Sequence, residues 1–255
     1  MTLDFLLLFT AGCIAGAMNA VAGGGSFVTF PTMVFVGLPS VAANASSTVA
    51  LVPGTLASVW TYATGRHRIG FVDIGGVALP LLTGVSVAGG LMGAWLLLST
   101  PLAVFDAVIP WLLLLATLAL LFGAQAGAWL RGHVRLGAAT VLPVQFLLGI
   151  YGGYFGGAVG IMMLAAWSLI DGYELKTLNP TRMLVVGATN AIAVIYFVVA
   201  REVWWPQTLV LLAGGIVGGY AGARVGQRLP PRVARAIVIS ITVGMTLAFF
   251  KRAYL

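Results

Sequence analysis

The feature that most constrains this chain is a glycine-rich break inside an apolar run. From Phe5 to Leu38 the residues are mostly apolar, but the polar, glycine-rich stretch Asn19-Ala-Val-Ala-Gly-Gly-Gly-Ser-Phe-Val-Thr-Phe-Pro31 interrupts them. The run is too short for two crossings of about 20 residues each plus a turn. It reads as a re-entrant or broken helical hairpin. In lipid, backbone that leaves a helix must be satisfied by protein or line a water-filled cavity. Gly23, Gly24 and Gly25 let the chain turn and let a ligand or another backbone approach. Ser26 is expected to cap a second helix reaching about Val36, whose N–H groups would point at the break. Broken helices of this kind mark substrate sites in transporters. The plainer alternative is a tight hairpin whose glycines serve packing only.

Composition sets the class. Of 255 residues, 60% are hydrophobic and 7% charged, and the mean hydropathy is +1.06. Soluble domains carry about 25% charged residues, so the chain is expected to be an all-α polytopic membrane protein. Continuous rather than alternating apolar segments exclude an outer-membrane barrel. The net charge of +7 reflects basic loops, not nucleic-acid binding. The single cysteine, Cys13, excludes a disulfide framework. Residues 1–22 lack a basic leader region and are expected to stay in the mature protein.

Apolar segments fall at about 5–22, 26–37, 41–64, 71–98, 101–123, 137–157, 158–171, 183–200, 205–228 and 232–250. The stretch 138–171 repeats the broken-hairpin pattern of 5–38. A shift of 133 positions carries Gly16 onto Gly149, Gly23 and Gly24 onto Gly156 and Gly157, and Gly54 onto Gly187. A shift of 130 carries Pro101 onto Pro231. Two repeats are therefore expected, 1–130 and 131–255, each a hairpin followed by three full spans. Cytoplasmic loops collect Lys and Arg. If each hairpin returns to its own side, Arg66, Arg68, Arg131, Arg135, Lys176, Arg182, Arg224, Arg228, Arg232 and Arg235 share one side. Only Arg201, Lys251 and Arg252 face the other. Treating each hairpin as one long crossing erases that bias. The repeats are then inverted, both termini lie outside, and the two glycine tips meet near the midplane, as in secondary transporters.

Candidate ligands cluster at the breaks. Asn19, Gly24, Gly25, Ser26 and Thr29 surround the first, and Asn44, Ser46, Ser47 and Thr48 open the following span. In the second half these are Tyr151 and Tyr154, Gly156 and Gly157, and then Asn179, Thr181 and Arg182. A helix start beside an arginine suits an anion, since both place positive charge and N–H donors at one spot. Arg182 reads either as that ligand or as an anchor at the membrane surface. The Asn44–Thr48 cluster reads equally as helix capping, and Asn190 as an interhelical hydrogen bond. Asp73 and Asp171 sit at span ends as caps. Asp106 is the one candidate for proton coupling, its alternative being an interfacial position. The shortage of buried acids fits an anion substrate rather than a cation pump. Gly214, Gly218, Gly222 and Gly226 form a small-residue face for helix packing, within the subunit or in a homodimer, and Trp204 and Trp205 an interface belt. His67 and His133 lack partners, and no paired carboxylates, metal-ligand spacing or phosphate loop occurs. No enzyme activity, metal or cofactor is expected.

Ala22-Gly-Gly-Gly-Ser-Phe-Val-Thr-Phe-Pro-Thr-Met, Gly37-Leu-Pro and Ala42-Ala-Asn-Ala-Ser-Ser resemble the first repeat of the TauE/SafE sulfite exporter family. Tyr151-Gly-Gly-Tyr-Phe-Gly-Gly-Ala-Val-Gly and Leu178-Asn-Pro-Thr-Arg resemble the second. The resemblance covers nearly the whole chain. It implies transport of sulfite or organosulfonates such as sulfoacetate in the bacterial inner membrane, in either direction. The expected mechanism is alternating access, with the substrate between the glycine tips. A channel-like anion pathway, a different small organic anion, or a non-transporting membrane scaffold are the alternatives.

Overall fold

A computed structural model describes residues 2–21, 24–64, 70–131, 138–170, 175–226 and 231–254. Gly23, Arg66, His67, Arg68, His133, Arg135, Asp171 and Arg228 lie outside these residues, as do the side chains of Arg131, Lys176, Arg224, Arg232 and Arg235 and the surroundings of Gly222 and Gly226 in the small-residue face. The described residues form ten α-helices: α1 (Thr2–Val21), α2 (Ser26–Phe35), α3 (Ser40–Thr64), α4 (Leu79–Ser99), α5 (Leu102–Arg131), α6 (Val141–Tyr154), α7 (Val159–Ser168), α8 (Leu175–Val199), α9 (Trp205–Gly226) and α10 (Pro231–Tyr254). The molecule is an all-α membrane protein. Among the described residues, Thr2–Asn19, Leu79–Ser99, Leu102–Gly123 and Thr177–Val199 are long and apolar enough to cross a bilayer. At about 1.5 Å per residue, α2 and α7 are too short to cross, as the hairpin reading requires.

Local chemistry explains the boundaries. α2 stops at Phe35 because Gly37 takes φ +95° and Pro39 follows. Gly37 N–H donates to Val34 O and Leu38 N–H to Met33 O, each at 3.1 Å, which satisfies the last carbonyls. α4 begins at Leu79, not at 71. Gly75 (φ +58°) and Gly76 (φ +77°) turn the chain, and Ile74 and Val77 exchange backbone hydrogen bonds across them. Asp73 Oδ1 then accepts Leu79 N–H at 2.9 Å, a cap for α4. α8 begins at Leu175 rather than 183, so Asn179, Thr181 and Arg182 lie in its second turn instead of opening it.

The chain divides into two compact units. The first comprises Met1–Gly54, Leu98–Thr117 and Phe197–Leu255; the second comprises Thr55–Leu97 and Leu118–Tyr196. In the first unit α1 packs on α9, backbone on backbone. A β-carbon at Gly12 would strike Leu211 O, at Gly16 Gly215 O, at Gly214 Phe9 O and at Gly218 Cys13 O. The two helices therefore run parallel, and Gly214 and Gly218 serve packing within the chain. In the same unit α5 and α10 run antiparallel. Thr117 and Thr246 meet through their hydroxyls at 2.9 Å, and Trp111 Nε1 donates to Tyr254 Oη at 2.9 Å.

The second unit repeats the glycine contact. A β-carbon at Gly149 would meet Ser86 O, at Gly89 Phe146 O, at Gly93 Ile150 O and at Gly153 Gly90 O, so α4 and α6 also run parallel. A shift of 133 carries Gly16 and Cys13 onto Gly149 and Phe146, and a shift of 129 carries Ser86 and Gly89 onto Gly215 and Gly218. The same shift of 129 carries Thr117 onto its own hydrogen-bond partner, Thr246. The first arm of each hairpin thus packs on the second helix that follows the other hairpin. Around this contact Ile74, Leu82, Val141, Val159, Met163, Trp167, Leu178 and Val185 form the buried core of the second unit.

Backbone-on-backbone packing makes these glycines unequal. Gly218→Ala forces its β-carbon into the Cys13 backbone and is expected to destabilise by about 1–3 kcal/mol, the usual cost of overpacking. Gly244 in α10 has nothing within 4 Å of the same position. Gly244→Ala should be neutral or gain about 0.5–1 kcal/mol from helix propensity. Thermal unfolding of both variants in detergent checks the contrast.

Candidate functional site

The first hairpin tip is closed by its own first arm. Gly24 takes φ +91°, and Gly25 N–H donates to Asn19 Oδ1 at 2.8 Å. A β-carbon at Gly25 would lie 2.8 Å from both Ala15 O and Asn19 Nδ2, so only glycine allows this closure. Gly25 is the N-cap of α2 and no side chain caps the helix there. Ser26 is the first helical residue rather than the expected cap, because Asn19 reaches over from α1 and takes the orphan N–H. One turn on, buried Thr29 Oγ1 lies 2.6 Å from Ser47 Oγ of α3 and 3.3 Å from Gly25 O. If Thr29 gives its one proton to Gly25 O, Ser47 donates to Thr29. Asn44 and Ser47 lie three residues apart, both buried on one side of α3, and Thr48 Oγ1 donates to Asn44 O at 2.9 Å. These residues lie past the start of α3, so they do not cap it. Ser46 faces elsewhere and accepts Trp204 N–H at 3.0 Å. Asp106 stands half-buried in the second turn of α5.

The second tip uses the opposite polarity. Tyr151 Oη donates to Gly157 O at 2.8 Å, and its ring meets Phe155 edge-on. Gly156 takes φ +77° and Ala158, the N-cap of α7, φ +58°. Ala158 O accepts the N–H groups of Ile161 and Met162. The N–H groups of Ala158, Val159 and Gly160 take no acceptor among the described residues. They project from the start of α7, where the helix dipole is positive. Arg182 is half-buried and lies over this turn. A β-carbon at Gly160 would sit 3.3 Å from its Cδ and 3.5 Å from its Nη1. Neighbouring Thr181 is buried and engaged: its Oγ1 accepts Val72 N–H at 2.8 Å and donates to Val72 O at 3.2 Å. Asn179, half-buried, precedes Arg182 by three residues on α8.

The structure thus gathers Tyr151, Gly156, Gly157 and Arg182 about the α7 start, and Asn19, Gly24, Gly25, Ser26 and Ser47 about the α2 start. It also holds a buried chain that the sequence reading missed. Trp167 Nε1 donates to Gln145 Oε1 at 2.9 Å, Gln145 Nε2 to Ser86 Oγ at 2.7 Å, and Ser86 Oγ to Leu82 O at 2.8 Å. This ties both arms of the second hairpin to α4. A lone glutamine inside an apolar run was the available signal. Asn190 Oδ1 is buried without a hydrogen bond among the described residues. No cluster of metal-ligating side chains occurs among the described residues.

Parallel apolar helices packed through glycine, with two half-length hairpin arms and polar tips, define an integral membrane protein of transporter type. The family model for the sulfite exporter TauE/SafE matches residues 8–249, so the chain belongs to that family. A probable membrane transporter protein of Haemophilus influenzae is 26% identical over 211 residues, covering 83% of this chain and 80% of the relative. Another from Sinorhizobium, ORF9, is 30% identical over 213 residues, covering 81% and 77%. Bacillus subtilis YunE, also a probable membrane transporter protein, is 23% identical over 244 residues, covering 83% and 85%. No solved structure matches. The chain is a membrane transporter.

Gln145→Leu keeps the side-chain volume but strands the Trp167 N–H. An unsatisfied buried donor costs about 1–3 kcal/mol, and a drop of that size is expected in thermal unfolding. Ser86→Ala strands a buried donor in turn, Gln145 Nε2, and should cost a similar amount.

Proposed function

We propose that this transporter carries a small sulfur-containing oxyanion, sulfite or an organosulfonate such as sulfoacetate, by alternating access. The carrying observation is the position of Arg182 over the first turn of α7. Three N–H groups without an acceptor among the described residues and the positive charge of one guanidinium meet at one spot, as an oxyanion needs. Tyr151 and Gly157 hold the tip in that shape, and Asn179 adds an amide one turn away on α8. The first tip has polar side chains of its own in Asn19 and Ser26, with Asn44, Ser47 and Thr48 on α3.

The repeats 1–130 and 131–255 are read as inverted. Support comes from the matched glycine contacts and from Thr117 meeting its own repeat counterpart across antiparallel helices, which a two-fold axis crossing the helices demands. Inversion of this kind underlies alternating access in secondary transporters. The family resemblance adds the inner membrane, and the loop charges add termini on the outside.

Purified protein should unfold at a higher temperature in sulfite or a sulfonate than in matched carboxylates. At about 100 times its Kd a ligand of the folded state stabilises by about 2.7 kcal/mol. Arg182→Gln should abolish that shift. A wild-type protein unmoved by every sulfur oxyanion, or an Arg182→Gln variant that keeps the full shift, overturns the reading.

A further inference from the structure

Among the described glycines with close neighbours, Gly160 differs in kind. Gly12, Gly16, Gly89, Gly93, Gly149, Gly153, Gly214 and Gly218 face the backbone of a packed helix, which marks them as contact glycines. Gly152 faces the methyl groups of Thr189 and Val159, and Gly157 faces the Phe155 ring. The three atoms nearest a β-carbon at Gly160 all belong to a charged side chain: Arg182 Cδ at 3.3 Å, Nη1 at 3.5 Å and Cγ at 3.6 Å. Gly160 is also helical, and no positive φ demands glycine there. Helix propensity alone would favour alanine at such a position.

We infer that Gly160 is a positioning residue: its missing side chain lets the Arg182 guanidinium settle onto the start of α7, and so sets the size of oxyanion head held there. The inference rests on the anion reading given above. The Arg182 stem passes Gly160 so closely that a β-carbon there would be in tight contact with Cδ, at 3.3 Å. Alanine would push Cδ outward by a few tenths of an ångström, and valine would push it farther. Charge-assisted hydrogen bonds are short, about 2.7–2.9 Å, and weaken as the donor withdraws. A lifted guanidinium would therefore lose a compact head such as sulfite first, and would keep more of its grip on the larger thiosulfate.

The test titrates sulfite and thiosulfate against the thermal stability of purified wild-type protein and of Gly160→Ala, Gly160→Val, Gly84→Ala and Arg182→Gln. Gly84 has nothing within 4 Å of its β-carbon position, so its variant is the control for adding a methyl group to a helix of the second unit. Without anion, Gly160→Ala should unfold at or above the wild-type temperature. Its sulfite affinity should fall by about tenfold, equivalent to about 1.4 kcal/mol, and its affinity for thiosulfate by clearly less. Gly160→Val should extend the same trend, and Gly84→Ala should match wild type. If Arg182→Gln loses the sulfite response while both Gly160 variants keep wild-type affinity and selectivity, the role of Gly160 is refuted and the anion site stands. An equal loss for both anions in the Gly160 variants refutes size selection. No sulfite or thiosulfate response in the wild type refutes the site and the inference together.

Discussion

Close backbone contact through glycine is the interaction on which the rest of this structure depends. In lipid no hydrophobic force drives one helix onto another, so association relies on van der Waals packing and on polar groups that find partners. Gly12, Gly16, Gly214 and Gly218 let α1 and α9 approach until backbone meets backbone, and Gly89, Gly93, Gly149 and Gly153 do the same for α4 and α6. Each contact joins the long first arm of a hairpin to a helix distant in sequence. That fixes the arm and leaves the short second arm to carry the polar start.

The two tips solve one problem with different chemistry. A chain that reverses inside a membrane exposes backbone groups that must be satisfied. At the first tip Asn19 accepts an N–H; at the second Tyr151 donates to a carbonyl. The first solution consumes a donor of the tip and the second consumes an acceptor. Donors are therefore left in greater number at the α7 start, where Arg182 also lies.

The surrounding helices hold the two hairpins by different means as well. Trp167, Gln145 and Ser86 bind the second hairpin to α4 through a continuous buried chain. The shifts that superpose the glycine contacts carry these positions onto Val34, Gly12 and Gly215, which offer no side-chain hydrogen bond. The first hairpin relies instead on Thr29 meeting Ser47 and on Phe30 packing against Phe249 of α10.

Much of this was legible in the residues. Charge scarcity and long apolar runs dictated helices in a membrane, and two glycine-rich breaks dictated two hairpins, since backbone cannot leave a helix in lipid without such a device. Boundaries were read less well where local turns overrode hydropathy. Gly75 and Gly76 delay α4, and α8 runs back through Pro180 to Leu175, because apolarity does not report where a helix begins. Side-chain direction lay beyond reach. Sequence by itself determined the class of protein, the number of hairpins and the residue types at their tips, because these follow from burial and backbone freedom summed along the chain. Only the tertiary structure decided that Asn19 closes the first tip on Gly25 while Ser26 caps nothing, that Thr181 is spent on Val72 while Arg182 lies over Gly160, and that each hairpin packs on a helix following the other. These depend on contacts between residues far apart in sequence, and periodicity carries no information about such contacts.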